Sequence, residues 1–186
     1  MKKYLMMAIV AMMSVVNVSA QNIPVGMRME IGETDRDNSE YSLFTYKDED
    51  GTFGYYLCLG RVTKILGAIR DDITDMSFDD IRETSICLGG TKDEAFATLD
   101  SILELYDEEL ETSVEFQGRA VTGSGQLGEP ATSLCVVKKN LIGGKRLQFI
   151  FTSGKRQVST YLPKSVVKDL RRDLKIDIKL HPKQHR

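Results

Sequence analysis

The chain has 186 residues, with 25 Lys and Arg against 27 Asp and Glu, for a formal charge of −2. At 41% hydrophobic and 28% charged, with only four prolines, it is too apolar and too evenly mixed to be disordered or low-complexity, and no apolar run is long enough for a membrane span. Two histidines and no tryptophan exclude chemistry that rests on several imidazoles.

The first twenty residues read as a cleaved leader. Lys2 and Lys3 form a positive start, Tyr4 to Val16 is an apolar run broken only by Ser14, and Val18-Ser19-Ala20 places small residues before Gln21. The run is shorter than the roughly 20 residues a spanning helix requires. Gln21, not Cys, follows the junction, so the expected product is not a lipoprotein but a soluble periplasmic or secreted chain. This leader resembles those of exported proteins of Gram-negative bacteria. The expected organisation is a signal peptide over 1–20, one domain over 21–180 and a basic disordered tail over 181–186.

Met27, Met29 and Ile31 alternate with charged residues as a first strand, and Thr34 to Glu40 reads as a polar loop. Tyr41 to Lys47 and Thr52 to Gly60 flank Asp48-Glu49-Asp50-Gly51, a hairpin signal in which Asp-Gly supplies the turn. Residues 61–75 fit either a helical face or a strand, and Phe78 to Leu88 reads as a strand. Thr91 followed by Glu94 has the capping-box form. Beyond it Phe96, Leu99, Ile102, Leu103, Tyr106 and Leu110 recur at spacings of three and four, which predicts a long amphipathic helix over about 92–111. Its last turns carry Asp107, Glu108, Glu109 and Glu111, the wrong sign for the helix dipole unless cations lie nearby.

Val114 to Ala120 alternates as a further strand, Thr122 to Thr132 reads as a loop, and Ser133–Leu141, Arg146–Thr152 and Arg156–Leu162 as a meander. Pro163 suits the start of a short helix over about 164–173, and Ile176, Ile178 and Leu180 alternate like an edge strand. About seven to eight strands, one long helix and no regular βα alternation predict an α+β fold with a mostly antiparallel sheet.

Little catalytic apparatus survives inspection. His181 and His185 lie in the last six residues, where an oriented catalytic pair is not expected. Cys58, Cys87 and Cys135 lack metal-ligand spacing, so no metal and no cofactor is expected. Gly123 to Gly128 matches G-x-G-x-x-G, but Pro130 interrupts where a helix would have to open. The acidic run from Asp35 lacks the Gly and Glu a calcium loop needs at its sixth and twelfth positions. An odd cysteine count allows one bridge at most, and Cys58 to Cys87 is the preferred pair beside a reading of three inert core thiols. Gly89-Gly90-Thr91 leads a strand into a helix N-terminus, where free amides could hold an anion.

Charge is distributed unevenly. Residues 21–111 carry 22 Asp and Glu against 8 Lys and Arg, whereas residues 112–186 carry 5 against 15. The doublets Lys138-Lys139, Lys145-Arg146, Lys155-Arg156 and Arg171-Arg172 punctuate the basic part, and the first three, at hairpin ends, form a candidate patch for an acidic glycan or an acidic protein. The alternative is pairing of the two parts inside the fold. Export and the net negative charge disfavour nucleic acid. The expectation is an exported, non-catalytic binding or interaction domain at the cell envelope. The competing readings are a carboxylate-based hydrolase acting on glycans and a structural subunit that docks through a sheet edge.

Overall fold

A computed structural model of the chain describes residues 23–36, 39–62, 83–121, 126–140, 143–153 and 156–180. Period-two alternation gives rise to eight strands: β1 (Arg28–Arg36), β2 (Ser39–Lys47), β3 (Phe53–Val62), β4 (Glu83–Gly89), β5 (Ser113–Val121), β6 (Leu127–Lys139), β7 (Lys145–Ser153) and β8 (Arg156–Leu162). Each pairs antiparallel with its neighbour in sequence, so the sheet order runs β1 to β8. Helix α1 (Lys92–Leu105) interrupts the meander between β4 and β5, and α2 (Lys164–Leu180) follows β8. The fold is α+β with one curled antiparallel sheet.

Four elements depart from the sequence pattern, each for a local reason. Thr34, Asp35 and Arg36 are not loop residues but pair with Tyr41, Glu40 and Ser39, since a sheet edge tolerates charged side chains wherever its backbone ladder is kept. β6 absorbs residues expected in a loop, and Pro130 sits opposite Arg119 beside a register shift, where the ladder is already irregular. α1 has 14 residues and stops at Leu105, short of the expected 111. Its acidic residues would crowd the carbonyl end, the chain turns away through Glu111 at φ 68°, and Leu110 is exposed. α2 runs for 17 residues, past the expected 173 and through the supposed edge strand. The spacing of Ile176, Ile178 and Leu180 does not by itself separate helix from strand, and no Gly or Pro intervenes before Pro182. The leader 1–20, the tail 181–186 and nearly all of 61–75 lie outside the described residues.

One face of the sheet packs on both helices. Leu43, Leu57, Leu59, Ile86, Leu88, Cys135, Val137, Leu147 and Phe149 meet Ala95, Leu99 and Ile102 of α1 and Val166, Val167, Leu170 and Leu174 of α2. Burying each large side chain of this set stabilises the fold by about 1.5–3 kcal/mol. The curl brings the end of β8 toward β2, where the Tyr41 hydroxyl donates to the Tyr161 carbonyl at 2.7 Å. The Tyr106 hydroxyl donates to the adjacent Leu162 carbonyl. α2 crosses β1 at Gly32, where a β-carbon would lie 2.7 Å from Asp173 Oδ2 and 2.8 Å from its Cβ; only glycine permits that approach. On the other face of the sheet Phe44, Tyr46, Tyr56 and Cys58 form a smaller buried cluster with Cys87 and Leu127 against it.

Candidate functional site

The basic residues of the β6–β7 hairpin are divided between two faces. Lys138 pairs with Arg146 and Lys139 with Lys145 across the ladder, so each doublet sends one cation to either side. Like charges directly opposite one another repel, and the structure gives three of the four a local use. Lys138 reaches Glu111 at 2.7 Å, and the Arg146 guanidinium lies over the Tyr161 ring, 3.7 Å from its centroid. The Lys145 ammonium donates to the Asp107 carbonyl at 3.1 Å and the Glu108 carbonyl at 2.5 Å. Lys164 of α2 completes this end of the molecule, 3.3 Å from Asp107 Oδ1. The acidic end of α1 thus finds its cations nearby, and the hairpin residues Lys138, Lys139, Lys145 and Arg146 are not brought into one patch. Lys155 and the Arg156 side chain lie outside the described residues.

The glycine-led helix start is also filled from within. The Gly90 and Thr91 amides donate to Glu94 Oε2 at 2.8 and 3.1 Å, while the Glu94 amide donates to Thr91 Oγ1 at 3.3 Å. This reciprocal cap consumes two of the amides that an anion at Gly89, Gly90 and Thr91 would need.

The cysteines are free: Cys58 and Cys135 are buried and Cys87 is partly so. Cys58 stands opposite Ser85, and Cys87 opposite Tyr56, so the preferred pair is diagonal across the ladder. Diagonal neighbours are more widely spaced than directly opposed residues, and a disulfide requires closer β-carbons. Burial pushes the Cys87 thiol up and the Cys135 thiol up to about 12, so both stay protonated and unreactive at neutral pH.

Around Cys58 the outer face carries a polar cluster that the sequence pattern did not single out. The thiol donates to Glu83 Oε2 at 3.2 Å, and Arg28 Nη1 reaches the same oxygen at 3.3 Å. Arg28 also donates to Ser42 Oγ, lies 2.6 Å from Glu30 Oε1 and covers the Phe44 ring. Burial raises the Glu30 carboxyl above its ordinary range against the opposing pull of Arg28. This arrangement ties β1, β2, β3 and β4 together.

A shallow recess of about 430 Å³ lies between Tyr106, Asp107, Gly143, Gly144, Lys145 and Lys164, and a second of about 370 Å³ crosses β5 and β6 at Phe116 and Pro130. The first is lined by the Asp107–Lys164 ion pair and Lys145, the second by a single carboxylate, Glu115, so neither brings two carboxylates together. Among the described residues, no three His, Cys, Asp or Glu side chains converge as metal ligands, and no helix is long and apolar enough to cross a membrane.

The outer face of α2 is different. Its apolar side is spent on the core through Val166, Val167, Leu170 and Leu174. Lys164, Lys168, Arg172 and Lys175 follow at spacings of four, four and three, which at 3.6 residues per turn confines them to an arc of about 80° over about 16 Å. Lys168, Arg172 and Lys175 are exposed. Arg172 has a partner in Asp169 at 3.3 Å, whereas Lys168 and Lys175 make no ion pair among the described residues. The helix carries six cations against three carboxylates. The sequence signal was present but hidden, because a search for adjacent doublets sees Arg171-Arg172 and misses a row spaced by whole helical turns. In fact Arg171 leaves the row to clamp Asp100 of α1 at 2.5 and 2.9 Å. Comparison of the chain with protein-family models, curated proteins and solved structures gave no match, so function rests on this geometry alone.

Proposed function

We propose that the chain is an exported, non-catalytic binding domain of the cell envelope that engages an anionic partner through its surface, chiefly the outer face of α2. The observation that carries this reading is the row Lys164, Lys168, Arg172 and Lys175 on a helix whose opposite face is fixed in the core. A rigid support holds the charges in one line, so a partner meets them without first ordering the protein. The leader and the junction at Gln21 support export. A face of exposed cations suits recognition, which needs no enclosed cavity, better than hydrolysis, which needs convergent acid and base groups.

The charge balance offers a direct test. The chain has a sequence pI of about 5.8 and is net negative at pH 7.5, so an evenly charged protein of this kind passes through a cation exchanger. Retention at low salt is expected here, and the triple variant K168E/R172E/K175E should flow through. Passage of the unaltered protein would refute the reading. Fractionation of the producing cell and the mass of the mature chain test the export part, with Gln21 as the expected first residue.

A further inference from the structure

We infer that the α2 row is a docking track for a linear acidic polysaccharide carrying one carboxylate per sugar; this rests on the surface-binding reading above and names its partner class. Successive cations at i, i+4 and i, i+3 are separated by about 6 and 4.5 Å along the helix axis, a repeat comparable to one sugar ring in an extended chain. The track is also narrow. On one side Asp169 and Asp173 flank it, both engaged with Arg172. On the other Arg171 is neutralised by Asp100. A broad anionic surface such as a phospholipid bilayer would press on those flanking carboxylates as well as on the cations, whereas a single extended chain can lie between them.

Bilayer insertion is further disfavoured because Val166, Val167, Leu170 and Leu174 of α2 are committed to the core, leaving Ile176 as its one exposed large apolar side chain among the described residues. Duplex DNA packs charge more densely than one per helical turn, and its breadth would bring it against the same flanking acids. Each contact would be a solvent-exposed ion pair and weak on its own. Affinity would come from several contacts in register, and salt would screen it strongly.

Titration calorimetry of the purified chain against polygalacturonate, its fully methyl-esterified neutral form, phosphatidylglycerol vesicles and duplex DNA decides the matter. Polygalacturonate is expected to bind, to weaken about tenfold or more between 50 and 200 mM salt, and to be favoured over vesicles and DNA, with the neutral ester silent. K168E/R172E/K175E should lose at least tenfold in affinity while still unfolding cooperatively, with Tm lowered by only a few degrees, because all three side chains are exposed and only Arg172 gives up ion pairs, with Asp169 and Asp173. K139E, on the hairpin, should bind like the unaltered chain. Equal or tighter binding to vesicles or DNA, binding that survives the triple reversal, or no binding to polygalacturonate would each overturn the inference. Retention on the cation exchanger together with silence toward polygalacturonate would sink the polysaccharide and leave the surface-binding reading standing.

Discussion

Gly89 sits at φ +134°, and a β-carbon there would fall 2.4 Å from the Glu94 Cβ. Both the backbone region and the space therefore require glycine, because Glu94 must fold back to accept from the Gly90 and Thr91 amides. Gly89→Ala should destabilise the protein by about 1–3 kcal/mol through strain and overpacking, read as a lower urea midpoint with an unchanged m-value. Cys135 makes a second prediction at the same scale. The residue is 1% exposed, and burial pushes the thiol up to about 12, whereas in the unfolded chain it ionises near 8.5. Between those values the native state keeps a proton that the unfolded state has lost, so stability is intact below about pH 8.5 and falls as pH rises, by up to about 1.4 kcal/mol per unit. Buried tyrosines such as Tyr106, whose hydroxyl burial also pushes up, add to that slope in every variant. Urea unfolding at pH 8, 9 and 10 should therefore show a shallower alkaline loss for Cys135→Ala than for the unaltered chain; equal slopes would show that the thiol is not held protonated.

Among the elements, the start of α1 was legible because Thr91 and Glu94 are a short-range code that tertiary packing left untouched. Its end was not. Leu110 continues the three-and-four spacing, but the acidic residues and the left-handed turn at Glu111 stop the helix at Leu105, and the cation that meets the carbonyls just past its end, Lys145, arrives from a hairpin 37 residues after Glu108. Pro130 likewise misled the reading of β6, since a proline argues against a strand only where a ladder hydrogen bond is needed. The cation row of α2 was obscured by a two-residue pattern that ends the helix too early in sequence. Lys145→Ala should remove the cation at the α1 carbonyl end and cost about 0.5–1 kcal/mol in dilute buffer, with the difference from the unaltered protein shrinking in 1 M salt. A cost that is independent of salt would assign Lys145 a packing role instead.

For the molecule as a whole, four ion pairs among the described residues join the two oppositely charged parts of the chain. Asp48–Arg119, Glu111–Lys138, Asp107–Lys164 and Asp100–Arg171 each join a carboxylate from residues 21–111 to a cation from residues 112–186. They span β2–β3 to β5, the α1 end to β6, and α1 to α2, so the charge division that stood out in the sequence helps fix which elements lie together. These pairs are not equal. The Arg119 and Asp48 side chains are 14% and 20% exposed, whereas Asp107 in its pair with Lys164 is 81% exposed. A shielded pair resists screening, and removing one partner strands the other in a poorly hydrated place; an exposed pair is worth about 0–1 kcal/mol. Arg119→Leu should therefore cost about 1–3 kcal/mol, much of it persisting in 1 M salt, while Lys138→Leu and Lys164→Leu should each cost less than about 1 kcal/mol and lose most of that cost in the same salt. Urea midpoints for the three variants at 0.05 and 1 M salt provide the ranking. If Arg119→Leu proved as mild and as salt-sensitive as the other two, the pairing would be surface decoration and the arrangement of β5 against the β2–β3 turn would have to rest on packing alone.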